Sequence, residues 1–139
     1  MSRKAQCSCG GLEIILQGEP SMVVTCNCLK CQKRTGSVFG AGAYFDNEQV
    51  IEKKGESKTF NDVSDAGLAI KREFCPACGT TVFWEADFQP GKIGVAVGCF
   101  EDPNFPEPIA TAWTQTKHNW VKFPSNWLSS QTQEFNKNA

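Results

Sequence analysis

The sequence is short of histidine, of net charge and of long apolar runs, and each shortage excludes something. His118 is the one histidine among 139 residues, so a zinc centre built on several imidazoles is ruled out. The formal charge is -1, from 14 basic and 15 acidic side chains. That balance argues against a nucleic-acid partner bound through bulk positive charge. No apolar run approaches the roughly 20 residues of a membrane-spanning helix. The first residues, Met1 to Cys7, carry no apolar h-region, so a secretory signal is not expected and a cytoplasmic location is. Solenoid-type repeats, low-complexity segments and internal linkers are also missing. The expectation is one domain over 1–139, with its core from about residue 5 to 128 and a polar, frayed tail over 129–139.

What the chain does have is eight cysteines. Without a secretory signal a disulfide scaffold is the weaker reading, and the spacings favour metal. They fall as Cys7-x-Cys9, Cys26-x-Cys28-x-x-Cys31, Cys75-x-x-Cys78-Gly79 and a single Cys99. Four-thiolate sites usually combine two short pairs from distant parts of a chain. Cys7 and Cys9 with Cys75 and Cys78 fit that rule and would make a structural zinc site. Residues two apart on extended chain face one side, which suits the first pair. A tight turn with a glycine after the second cysteine suits the other.

The triple Cys26, Cys28 and Cys31 then keeps an ion of its own. Cys28 and Cys31 are spaced for one side of a helical turn, which Gly36 would end. Three protein ligands plus an open position is the catalytic zinc pattern, whereas four closed ligands are structural. Cys99 is either an ordinary buried thiol or the sulfur that closes the triple. With two Zn²⁺ on seven thiolates, the formal charge would move to about -4. Lys30, Lys33 and Arg34 surround the triple. They are either a solvated surface or a device that lowers thiol pKa values and attracts an anionic substrate. His118 beside Trp120 is read as a partly exposed ring, with proton transfer as the alternative.

Between these motifs lie many short runs of strand type, at Leu12–Gln17, Met22–Thr25, Ser37–Phe45, Gln49–Lys53, Ser57–Phe60, Leu68–Phe74, Thr81–Trp84, Lys92–Cys99 and Ile109–Trp113. Asn61–Gly67 reads as a polar loop. Few segments have helical periodicity, so a mainly β domain of short antiparallel strands is expected. The glycines inside the strand around Gly40 and Gly42 mark the close approach of a ligand or another backbone.

Four ordered motifs, at Cys7–Gly11, Cys26–Gly36, Phe74–Gly79 and Gly98–Pro103, resemble those of the glutathione-dependent formaldehyde-activating enzyme (GFA) family. The resemblance runs from about Cys7 to Trp127. It implies a zinc-binding β-tent fold and two zinc ions per chain. One would be structural, on Cys7, Cys9, Cys75 and Cys78, and one catalytic, on Cys26, Cys28 and Cys31. It also implies a carbon–sulfur lyase acting on S-hydroxymethylglutathione, the adduct of glutathione and formaldehyde. Lys30, Lys33 and Arg34 are the candidates for the peptide carboxylates. The rival readings are a non-catalytic zinc-binding interaction module and a thiol or metal sensor. Asn27 stands where many relatives carry histidine.

Overall fold

The computed structural model describes residues 1–134 and forms two sheets. The smaller has three strands in the order β1 (Ser2–Gln6), β2 (Glu13–Gln17), β5 (Val50–Lys54). The larger has eight strands, running β11 (Leu128–Ser129), β10 (Ala110–Ala112), β3 (Met22–Cys26), β4 (Gly40–Asp46), β9 (Lys92–Ala96), β8 (Thr81–Ala86), β7 (Ala69–Phe74), β6 (Lys58–Val63). One short helix, α1 (Leu29–Thr35), follows β3. The mainly β expectation holds. Most pairings are antiparallel, but β10 runs parallel to both β3 and β11.

The core forms where the two sheets meet. Ile14 and Leu16 from β2 pack with Phe45 of β4, Val82 of β8 and Ile93 and Val95 of β9, all essentially inaccessible to solvent. Side chains alternate between the two faces of a strand. On β4, Ala43 and Phe45 therefore serve this core, while Gly40, Gly42 and Tyr44 face the other side of the large sheet.

That second face carries the site. Cross-strand register sets Met22 beside Tyr44, Tyr44 beside Gly94, Gly94 beside Trp84, and Trp84 beside Arg72. One row thus crosses five strands, β3, β4, β9, β8 and β7. A parallel row sets Ala112 beside Cys26 and Cys26 beside Gly40.

Four expectations need correction. Lys92–Cys99 is not one strand: β9 stops at Ala96, and Val97–Phe100 is a 3-10 turn that turns Cys99 into the core. Gly98 within this segment weakens strand pairing. Asn61–Gly67 is not all loop, because β6 continues to Val63, paired with β7; a strand at a sheet edge can be polar on both faces. The strand over Ser37–Phe45 begins only at Gly40. The first part of the tail, through Thr132, is held rather than frayed. Leu128 and Ser129 pair with β10, and Trp113 and Thr114 donate to the carbonyls of Thr132 and Ser130. Residues 135–139 lie outside the described residues.

Candidate metal centre and cavity

Two groups of sulfurs come together, as the spacing predicts. The Sγ atoms of Cys7, Cys9, Cys75 and Cys78 lie within 4.8 Å of one another, and so do those of Cys26, Cys28 and Cys31. All eight cysteines are free thiols. In the first group Cys7 Sγ is 3.6 Å from Cys9 Sγ, which is 3.6 Å from Cys75 Sγ. Four sulfurs at about 2.3 Å from a tetrahedral metal sit about 3.8 Å apart, so this donor set fits one ion. The backbone supports the charge such sulfurs would carry. Leu12 N–H donates to Cys7 Sγ at 3.2 Å, and contacts from Thr80 hold the Cys78 thiol down to about 5. Gly10 and Gly79, at φ 79 and 81, make the turns that aim the sulfurs inward.

The second group is built by three different local structures. Cys26 ends β3, Cys28 is the N-cap of α1, and Cys31 lies in its first turn. Cys31 N–H donates to Cys28 Sγ at 3.3 Å. Between the first two ligands, Asn27 is fully buried and clamps the loop to β10. Its Nδ2 donates to Thr111 Oγ1 and to Ala112 O, both at 2.8 Å. Its own carbonyl accepts from Gln32 Nε2 and Thr116 Oγ1. Before any metal binds, hydrogen bonds from Cys26 and Cys28 hold the Cys31 thiol down to about 3, and the charges of Arg34 and Arg72 act in the same direction. The bonding with Cys28 and Cys31 that favours the Cys31 anion pushes Cys26 up.

Among the described residues no fourth histidine, cysteine or carboxylate joins the triple. Cys99 does not reach it. It sits in the core near Thr81 O, at 3.9 Å, and burial pushes its thiol up to about 11. The reading of Cys99 as a buried thiol is the one the geometry bears out.

The open side of the triple faces a cavity of about 170 Å³. Its walls are Met22 and Val24 of β3, Tyr44 of β4, Ile70 of β7, Trp84 of β8, and Trp113. Trp113 takes φ 58, unusual for a bulky side chain, and the Thr132 carbonyl holds it there. Tyr44 Oη accepts from Trp84 Nε1 at 3.2 Å. Burial pushes the Tyr44 phenol up, so it stays protonated.

Three cations approach this space. Arg34 stacks on Trp84, its guanidinium carbon 4.6 Å from the ring centre. Arg72 and Lys30 share the carboxylate of Asp62, at 2.9 and 3.0 Å. The N–H of Val63 and the bond from Lys30 hold that carboxyl at about 2. Of the three basic residues singled out in the sequence, Lys30 and Arg34 line the cavity, while Lys33 is exposed and outside its lining. His118 is exposed and bonds Gln32 Oε1 at 3.2 Å, away from the cavity lining. Sequence reasoning missed Tyr44, Arg72, Trp84 and Asp62. The one available signal was the run of strand glycines. A side chain on Gly42 would meet Trp84 at 2.9 Å, and one on Gly94 would overlap the indole outright. The close approach at these glycines is therefore that of a tryptophan ring.

Gly94→Ala is expected to displace Trp84 and with it the cavity wall. Overpacking of this kind costs about 1–3 kcal/mol. Denaturant unfolding should show that loss, and the tryptophan emission of the folded protein should shift toward the solvent-exposed value. An unchanged emission maximum would mean that the ring does not rest on Gly94.

Comparison with known proteins agrees with this geometry. The family model described as glutathione-dependent formaldehyde-activating enzyme matches residues 2–116, which takes in both sulfur groups. A Colletotrichum graminicola protein named for glutathione-dependent formaldehyde activation is 29% identical over 80 residues, or 58% of this chain. The matched stretch spans 41% of that relative's length. A crystal structure of a Rhodobacter sphaeroides protein superposes with a TM-score of 0.56 at 22% identity, covering 73% of this chain and 90% of its own; it shares the fold. With a family match over most of its length, and with both cysteine groups of that match assembled in space, the chain belongs to the glutathione-dependent formaldehyde-activating enzyme family.

Proposed function

We propose that the protein joins a thiol to an aldehyde and, in the reverse direction, acts as a carbon–sulfur lyase on the adduct. Glutathione and formaldehyde are the pair that the family name supports. The observation that carries this reading is a three-sulfur group, with no fourth ligand among the described residues, set in the wall of a cavity. Thiolate ligands without a redox partner favour zinc. Cys7, Cys9, Cys75 and Cys78 would hold a structural ion, and Cys26, Cys28 and Cys31 a second one. Held by Cys26, Cys28 and Cys31, zinc would lower the pKa of a substrate thiol and so favour its thiolate.

The chain's own groups do the rest. Trp84 and Trp113 exclude water from the reacting atoms. Tyr44 accepts from Trp84, which leaves its O–H free to donate to a carbonyl oxygen. Lys30, Arg34 and Arg72 give the cavity the positive potential that an anionic thiol needs. As the C–S bond forms, the carbonyl π bond opens and the thiol proton ends on oxygen. Holding both partners in one cavity supplies much of the rate. A scaffold-only role would call for a fourth sulfur on the triple, and the placement of Cys99 in the core speaks against it.

The test is exchange NMR on the protein carrying two zinc ions per chain, with glutathione and formaldehyde. Interconversion of free glutathione and S-hydroxymethylglutathione should accelerate in proportion to protein concentration. A rate equal to the spontaneous one at full zinc content overturns the proposal.

A further inference from the structure

The cavity is larger and drier than formaldehyde requires. Formaldehyde has two heavy atoms and fills little more than the roughly 30 Å³ of one water molecule. The space beside the triple is about 170 Å³, and an apolar cavity of about 150 Å³ accepts benzene. Its walls are mainly aromatic and aliphatic, with Ser64, Asp65, Gln89 and Gln133 also on the lining. Of the cations on its lining, Arg72 and Lys30 are paired with Asp62, and Arg34 lies over the face of Trp84. The peptide part of glutathione is a poor occupant, because its charged ends would lose water against mainly apolar walls, with Lys30 and Arg72 already paired to Asp62. It is better placed at the mouth beside Lys30, whose side chain is 39% exposed.

We propose that the aldehyde this site takes carries an apolar aryl or branched alkyl group of roughly four to seven carbons, seated between Trp84, Ile70 and Val24. This rests on the thiol–aldehyde reading of the triple. The product is an apolar hydroxyalkyl thioether. The C–S bond forms, the carbonyl π bond opens and the thiol proton passes to oxygen, so neither oxidant nor reductant is consumed. The Tyr44 hydroxyl is a polar point on the aromatic side of this wall, available to the oxygen, while the apolar group replaces water against the indole.

Stable thioethers test the inference without turnover. Calorimetric titration of the zinc-loaded chain with S-methyl-, S-propyl- and S-benzylglutathione should show affinity rising about fourfold per added methylene. S-benzylglutathione should bind at least about tenfold tighter than S-methylglutathione. Ile70→Phe, which fills the cavity, should bring that ratio toward one, and Val24→Leu should lower it by less. Equal affinities in the unmodified protein, or no binding of any of the three, overturn the inference. Turnover of formaldehyde and benzaldehyde is measured separately. If neither aldehyde reacts while S-benzylglutathione is preferred, the thiol–aldehyde reading has failed and the apolar subsite stands. If formaldehyde reacts and the affinities are equal, the reading stands and the apolar subsite does not.

Discussion

Replacing Cys75 with serine is expected to unfold the protein. Cys75 is 3% exposed and joins the end of β7 to the N-terminal Cys7 and Cys9 turn. The hydrogen bonds between the two turns are weaker ties at the surface: Ser8 N–H donates to Thr80 Oγ1, and Thr80 Oγ1 donates to Ser8 Oγ. Metal binding at such sites contributes about 10–16 kcal/mol in zinc-finger peptides, against about 5–15 kcal/mol of total stability for a domain. Losing even about 5 kcal/mol lowers Tm by roughly 20 °C in a chain of this size. Thermal melting followed by circular dichroism, with metal content measured on the same sample, checks this. A variant that stays folded with one metal lost would place the stabilising role elsewhere.

Cys28→Ser should behave in the opposite way. One metal ion per chain is lost, thiol–aldehyde exchange falls to the spontaneous rate, and the fold persists. The reason lies in how the ligand loop is held. Asn27 is fixed to Thr111, Ala112 and Thr116 by hydrogen bonds that need no sulfur. The serine oxygen can still accept from Cys31 N–H as the N-cap of α1. The cost should stay within about 2 kcal/mol, a Tm shift of at most about 8 °C. Loss of both ions, or melting as severe as for Cys75→Ser, would show that the triple is structural too.

Much of this was legible in the chain because it is local. The two cysteine pairs, the triple, the helical turn ended by Gly36 and most strands follow from spacing and alternation over a few residues. The cavity is a different matter. Met22, Tyr44, Gly94, Trp84 and Arg72 are scattered over 73 positions and become one row only through the pairing of five strands. A register slip of one residue would send each to the opposite face, and no single segment encodes that choice. Asp62 was hidden for a related reason. It lies in a stretch whose polarity reads as loop, yet that stretch is an edge strand whose carboxylate reaches both Arg72 and Lys30. Cys99 illustrates the limit of counting ligands. Its place depends on a 3-10 turn after β9 that turns its thiol toward Thr81 and the core.

The parallel pairing of β10 with β3 has a consequence for synthesis. Cys78 is the last residue the four-sulfur group requires, so that group can close on a chain still growing. The triple is complete in sequence by Cys31, yet its loop is braced by Thr111, Ala112 and Thr116. Until that later segment arrives, Asn27 lacks its bonds to Thr111, Ala112 and Thr116, and the loop that carries the three thiols is unbraced on that side. If both groups take the ions proposed for them, the order of emergence favours filling the four-sulfur group first and the triple last, once its loop is braced.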